Sequence, residues 1–350
     1  MGRKFLRNMI AGVSLAILFG AAVANVSLKD SHPDEYYVKP GDTLWDISKV
    51  FLNKPWLWPE LWHGNDSIEN PHLIYPGDKI VLRYVDDKPQ LMVDDNDSGV
   101  VKLSPSVRES DLSSPVPVIP LEAIESFLRD AWVLDKDEID QAPYILGGEN
   151  QRVIFGQGDL VHVRDPETHW KNLFKNYAVF RVGERYVDEE TNEILGYEAL
   201  RVGQGKVEKK TGDIVSMRVE KSEEELQAGD KVMVSPPRAL KSVYYPSAPD
   251  ADIEGGIVRL FGRLTSVARH DVVVINRGAR EGLKEGHVLE TYHRGEVVRD
   301  DQRGEIVRLP DTKSGVMVLF RVFEKASYGL IMESYLPIYK SDIVRSPEKQ

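Results

Sequence analysis

The sequence predicts an α+β protein: a small strand–helix–helix–strand (βααβ) unit over residues 36–84, followed by a duplicated, mainly β region over 120–350. Three observations predict it. Two Pro-Gly-Asp turns, Pro40-Gly41-Asp42 and Pro76-Gly77-Asp78, bracket a stretch whose apolar residues recur at helical spacing. Short β-branched runs, among them Val161-His162-Val163, Val272-Val273-Val274-Ile275 and 316–320, dominate the chain beyond residue 130. Segments of that later region match one another in order, at offsets of roughly 111–120 residues.

Composition bounds the function. With 350 residues the chain is too long for one ordinary domain. Its 45 basic and 56 acidic residues give a formal charge of −11, which argues against nucleic acid, a ligand that rewards clustered Lys and Arg. There is no cysteine. Disulfides, thiolate metal sites, cysteine nucleophiles and a lipid-modified N-terminal cysteine are excluded together.

The first 24 residues read as an export signal. Arg3, Lys4 and Arg7 precede an uncharged, mostly apolar run from Met9 to Ala24, which ends Ala22-Val23-Ala24. The run is shorter than the ~20 residues a spanning helix needs. The expected product is cleaved after Ala24 and resides in the periplasm or cell envelope, free of the membrane; the alternative is a retained anchor. Cleavage leaves the mature chain at −14.

In the unit at 36–84, residues 36–38 read as a strand and Pro40-Gly41 as a turn. Asp42 or Thr43 can cap a helix whose apolar face is Leu44, Ile47 and Phe51. A second helix is expected over 56–65, with Leu57, Leu61 and Trp62 as its stripe. Asn70 to Tyr75 form a loop, and a second Pro-Gly turn feeds a closing strand. In Val38-Lys39-Pro40-Gly41-Asp42-Thr43-Leu44-Trp45-Asp46-Ile47 and Leu73-Ile74-Tyr75-Pro76-Gly77-Asp78-Lys79-Ile80 the chain resembles the LysM family. The resemblance is confined to this unit. It implies two helices on a two-stranded antiparallel sheet. It also implies non-catalytic binding of N-acetylglucosamine-containing glycan, the polymer of bacterial peptidoglycan, in a shallow groove between two loops. By position, that groove is Gly41, Asp42, Thr43 and Leu44 on one side and Asn70, Leu73, Ile74 and Tyr75 on the other. Backbone donors and acceptors flanked by Leu and Ile suit an acetamide, hydroxyls and a methyl without charge. A single copy of so wet a site should bind weakly. The unit departs from the family in holding four of the six tryptophans, Trp45, Trp56, Trp58 and Trp62. Trp45 and Trp62 read as core; Trp56 and Trp58 read equally as core or as a platform for sugar faces.

Residues 85–119 read as a linker: 86–119 hold seven acids, six serines and four prolines. Residues 120–129 read as a helix opened by Pro120. The remainder reads as two related β domains, 120–240 and 241–350. Gly158 to Arg164 match His270 to Asn276, Ala199 to Val202 match Leu319 to Val322, and Gly229 to Val232 match Ser341 to Val344. The likeness of Gly229-Asp230-Lys231-Val232 to Gly77-Asp78-Lys79-Ile80 reads as shared turn chemistry, not a second glycan-binding unit.

No catalytic constellation or cofactor motif emerges. None of the eight histidines stands in a His-x-His or His-Glu-x-x-His zinc pattern. Glu125-Ser126 resembles the Glu-Ser of lytic transglycosylases, but the region after it reads as β rather than helical. No Gly-x-Ser-x-Gly or phosphate-binding loop is present. The expectation is a non-enzymatic binder whose β domains serve at the wall, with two alternatives: a wall hydrolase with an unfamiliar site in 120–350, or a scaffold whose β domains bind another envelope protein.

Overall fold

The computed structural model describes residues 26–62, 74–85, 88–94, 116–149, 152–165, 176–234, 244–261 and 265–348. The expected signal peptide, Asn70 and Leu73 lie outside these residues. Among the described residues, no helix is long and apolar enough to cross a membrane.

The N-terminal unit has the predicted order. Strand β1 (Glu35–Tyr37) leads into α1 (Leu44–Phe51), then a single 3₁₀ turn (Pro55–Leu57), α2 (Trp58–Trp62) and β2 (Lys79–Val85). Strand β1 pairs antiparallel with β2. Thr43 caps α1: its hydroxyl accepts from the Asp46 amide at 3.1 Å and donates to the Asp46 carboxylate at 2.7 Å. Leu44, Ile47 and Phe51 are buried, as their spacing requires. The second helical stretch opens with a 3₁₀ turn at Pro55 and becomes α-helical at Trp58, and residues 63–65 of the expected helix lie outside the described residues. A third strand, β3 (Lys88–Val93), extends the sheet on the far side of β2 and buries Leu91. The linker reading therefore fails at 88–93. Backbone pairing with β2 and one buried leucine order a stretch whose acidic neighbours suggest solvent.

Helix α3 (Leu121–Asp130) follows, then β4 (Ala131–Leu134) and α4 (Lys136–Gln141), which carries a capping box between Asp135 and Glu138. The rest is mainly β and forms two barrels. The first comprises Tyr144–Gly148, Leu160–Arg164, Asn176–Val187, Ile194–Thr211, Ile214–Ser222 and Lys231–Val234. Its pairings close a ring in the order first, second, fifth, fourth, third, sixth. The second comprises Glu254–Leu260, Val272–Ile275, Val288–His293, Thr312–Val322, Ser327–Ser334 and Ile343–Arg345, and closes in that same cyclic order.

The matched segments occupy equivalent places: the second, fourth and sixth strands of each barrel. The turns before the second and sixth strands share one geometry. An aspartate accepts from the amide three residues earlier, at 2.9 Å for Asp159, 2.8 Å for Asp230 and Asp271, and 2.9 Å for Asp342. The residue before each aspartate has positive φ: Gly158 90°, Gly229 95°, His270 71° and Ser341 70°. Asp42 and Asp78 close the same turn in the N-terminal unit, at 2.8 Å each, behind Gly41 and Gly77. This local chemistry accounts for the likeness of Gly229–Val232 to the N-terminal unit.

Val273, Ile275, Leu289, Met317, Leu319 and Ile331 fill the second barrel. The alternate residues Val272, Val274, Val316, Val318, Phe320 and Leu330 are also buried, on its outer surface, in one cluster with α3 and the N-terminal unit. Burial on both faces explains the unbroken β-branched runs in these strands. The N-terminal unit thus rests on the barrel instead of standing apart on a tether. Lys49 pairs with Glu333 at 3.2 Å, Arg269 pairs with Asp46, and the rings of Trp58 and Tyr245 stack at 6.1 Å.

Candidate functional site

The two groove loops differ in how their polar groups are used. Gly41 is exposed at φ 89°, as its turn requires. Asp42 directs its carboxylate back into that turn, accepting from the Lys39 amide at 2.8 Å and the Tyr36 hydroxyl at 2.9 Å. Burial first, and then this bond, push the Tyr36 pKa up to about 12. Thr43 is buried and committed to its cap. These side chains build the loop; what they leave for a ligand is backbone.

The available backbone follows from helix geometry. An α-helix leaves its first N–H groups without intrahelical partners. Thr43 satisfies that of Asp46, so the orphan donors of α1 are Leu44 and Trp45. On the opposite side, Ile74 is fully buried and presents its carbonyl. The Tyr75 amide donates to Asp78 at 2.8 Å.

Residues 116–119 lie between these groups. The Leu44 amide donates to the Pro117 carbonyl at 2.9 Å and the Trp45 amide to the Val118 carbonyl at 3.3 Å, while the Val116 amide donates to the Ile74 carbonyl at 2.8 Å. Val116, Val118 and Ile119 are buried. This end of the expected linker is therefore ordered against the residues expected to form the groove, and the linker reading fails here too. Leu44 and Ile74, matched by position to opposite walls, are bridged by it. The Trp45 amide, bonded to the same segment as the Leu44 amide, was not among the residues expected at the groove. Its signal was available: with Thr43 as cap, Trp45 is the second helical residue and has an orphan donor.

Trp56 and Trp58 are core residues. Trp56 is 4% exposed and packs 6.2 Å from Trp45; Trp58 is fully buried against Tyr245. Neither offers an open face to a sugar ring. A unit this small has few other large side chains with which to exclude water.

Among the described residues, no group of three or more His, Asp or Glu is placed to hold a metal ion. The partly buried His293 is paired with Asp342 at 2.9 Å and packed near Tyr339.

A search of curated proteins finds no match to the chain. A scan of family models matches the LysM domain over residues 36–83. LysM domains are binding modules rather than catalytic ones, and generally bind N-acetylglucosamine-containing glycans such as peptidoglycan. The chain is a LysM-domain protein, its LysM domain confined to residues 36–83 and followed by a mainly β region.

Proposed function

We propose that this protein binds the N-acetylglucosamine-containing glycan of peptidoglycan without cleaving it, and holds its two β barrels at the cell wall. One observation carries the reading: the groove already binds amides. It donates N–H groups to two peptide carbonyls, at Pro117 and Val118, and accepts one peptide N–H, at Val116. The acetamide of N-acetylglucosamine is the same functional group, a C=O and an N–H on one planar unit beside a methyl. The buried Leu44 and Ile74 supply apolar walls. On this reading Gly41, Asp42, Thr43, Leu44, Asn70, Leu73, Ile74 and Tyr75 frame the glycan site, chiefly through main chain.

The same reading places the protein in the periplasm or envelope, exported by residues 1–24 and cleaved after Ala24. The barrels are a duplicated pair, as their shared strand order and turn geometry support. The test is retention of mature protein, residues 25–350, on purified sacculi, with zymography on the same material. Retention that N-acetylglucosamine oligomers compete away, without a clearing zone, is expected. A clearing zone, or retention indifferent to the oligomers, would overturn the reading.

A further inference from the structure

The amide donors that the glycan reading needs are already engaged by the protein itself. The Leu44 and Trp45 amides and the Ile74 carbonyl are all bonded to residues 116–118. The segment is more than a chance neighbour. It completes the N-terminus of α1 by supplying the two carbonyls that Thr43 cannot. Its side chains at Val116, Val118 and Ile119 are withdrawn from water. It also runs straight into α3, where Ile124 is fully buried and the Phe127 ring meets Phe261 edge-on at 4.7 Å.

We propose that residues 116–119 are a built-in competitor of the glycan: an intramolecular strap that mimics the ligand's acetamide and must leave the groove before sugar enters. The proposal rests on the glycan reading of the groove and adds its regulation. The chemistry is symmetrical. Peptide and acetamide offer the same acceptor to the same two N–H groups, so both cannot occupy them at once. Apparent glycan affinity is then the intrinsic affinity multiplied by the fraction of molecules with the strap displaced. Displacement also frees the chain ahead of α3, so an occupied groove differs from an empty one at the surface of the second barrel. The segment on the far side of the strap is Ser/Pro-rich, with Ser113, Ser114 and Pro115 adjoining it.

The test uses the mature chain and the N-acetylglucosamine pentamer as probe. Val116→Asp combined with Val118→Asp removes the strap's apolar hold without touching the groove loops. Calorimetric titration should show this variant binding the pentamer roughly tenfold or more tighter than wild type. Hydrogen exchange on wild type needs no variant, so it decides the question if the double variant does not fold. Adding pentamer should speed exchange of the Val116 amide while the Leu44 and Trp45 amides stay protected. Equal affinities, or exchange at Val116 unchanged in a pentamer-bound protein, overturn the strap and leave the glycan reading standing. Absence of pentamer binding by wild type and by a folded opened variant overturns the glycan reading itself.

Discussion

Arg321→Met should destabilise the protein through the C-terminus of α3. The Arg321 guanidinium lies 4.0 Å over the Trp132 ring. Its Nη1 donates to the carbonyls of Leu128 at 3.0 Å, Phe127 at 3.2 Å and Ala131 at 3.4 Å. Those include carbonyls that a helix end cannot satisfy internally. Burial pulls the guanidinium pKa down, so part of the interaction is spent on desolvation. The 3.4 Å contact is too long to count for much. Two charge-assisted bonds at about 1.5–3 kcal/mol each give a gross loss of about 3–6 kcal/mol. Relief of the buried charge returns roughly half of that. Methionine keeps an apolar stem over Trp132, so the expected net cost is about 1.5–3 kcal/mol. For a chain of this size that lowers Tm by about 2–4 °C. Differential scanning calorimetry reads it directly, and Arg321→Lys, which keeps charge but loses the fork, should fall between. A Met variant melting with wild type would mean that the helix-end carbonyls have other partners.

Other perturbations separate the remaining claims. Trp58→Ala should cost about 3–5 kcal/mol by chemical denaturation, as a buried tryptophan does; an unchanged midpoint with weakened sugar binding would restore the platform reading. Thr43→Ala should cost about 1 kcal/mol through the lost cap of α1, measured the same way, and no loss would mean the cap is not needed. Gly229→Val should destabilise the first barrel by about 1–2 kcal/mol, because its φ of 95° forces a β-branched residue into left-handed backbone; a neutral result would deny the strict turn. His287 and His270 have pKa values lowered by burial first and then by the cations Lys284 and Arg269, and the His287 Nδ1 accepts from the Lys284 amide at 3.2 Å, which requires a neutral ring. The unfolded chain therefore takes up protons before the folded one, and stability should fall as pH drops below about 6.5, levelling off only beneath the folded values. Thermal melts from pH 8 to 5 should show the fall, and His287→Gln combined with His270→Gln should flatten it; an equally steep fall in the double variant would place the titration elsewhere.

What was legible in the sequence is what local chemistry dictates. Thr43 ahead of an apolar helix face gave the cap and α1. The Pro-Gly-Asp turns gave the strand boundaries, because an aspartate accepting from three residues back and a glycine at positive φ are properties of four consecutive residues. Three short matches located equivalent strands in both barrels, and two of them begin a buried strand after such a turn, where residue choice is tightly restricted. Long-range choices were not legible. Nothing in Val116-Pro117-Val118-Ile119 announces that its carbonyls reach the N-terminus of a helix 70 residues earlier; main-chain bonds leave no residue-type signature. Strand β3 was hidden among acids, and the burial of Trp58 depends on Tyr245, far along the chain. One cue was present but unused: runs such as 316–320 lack polar alternation, which signals strands covered on both faces. That cue pointed to something resting on the second barrel.

Amide chemical-shift mapping decides whether the LysM groove holds the glycan. Isotope-labelled protein spanning residues 25–350 would be titrated with the N-acetylglucosamine pentamer. The largest shifts should fall on Gly41 to Trp45 and on 70–75, with matching changes at Val116 to Ile119 as the strap is displaced. Shifts confined to the barrels, or none at saturating pentamer, would contradict a glycan site in the LysM groove.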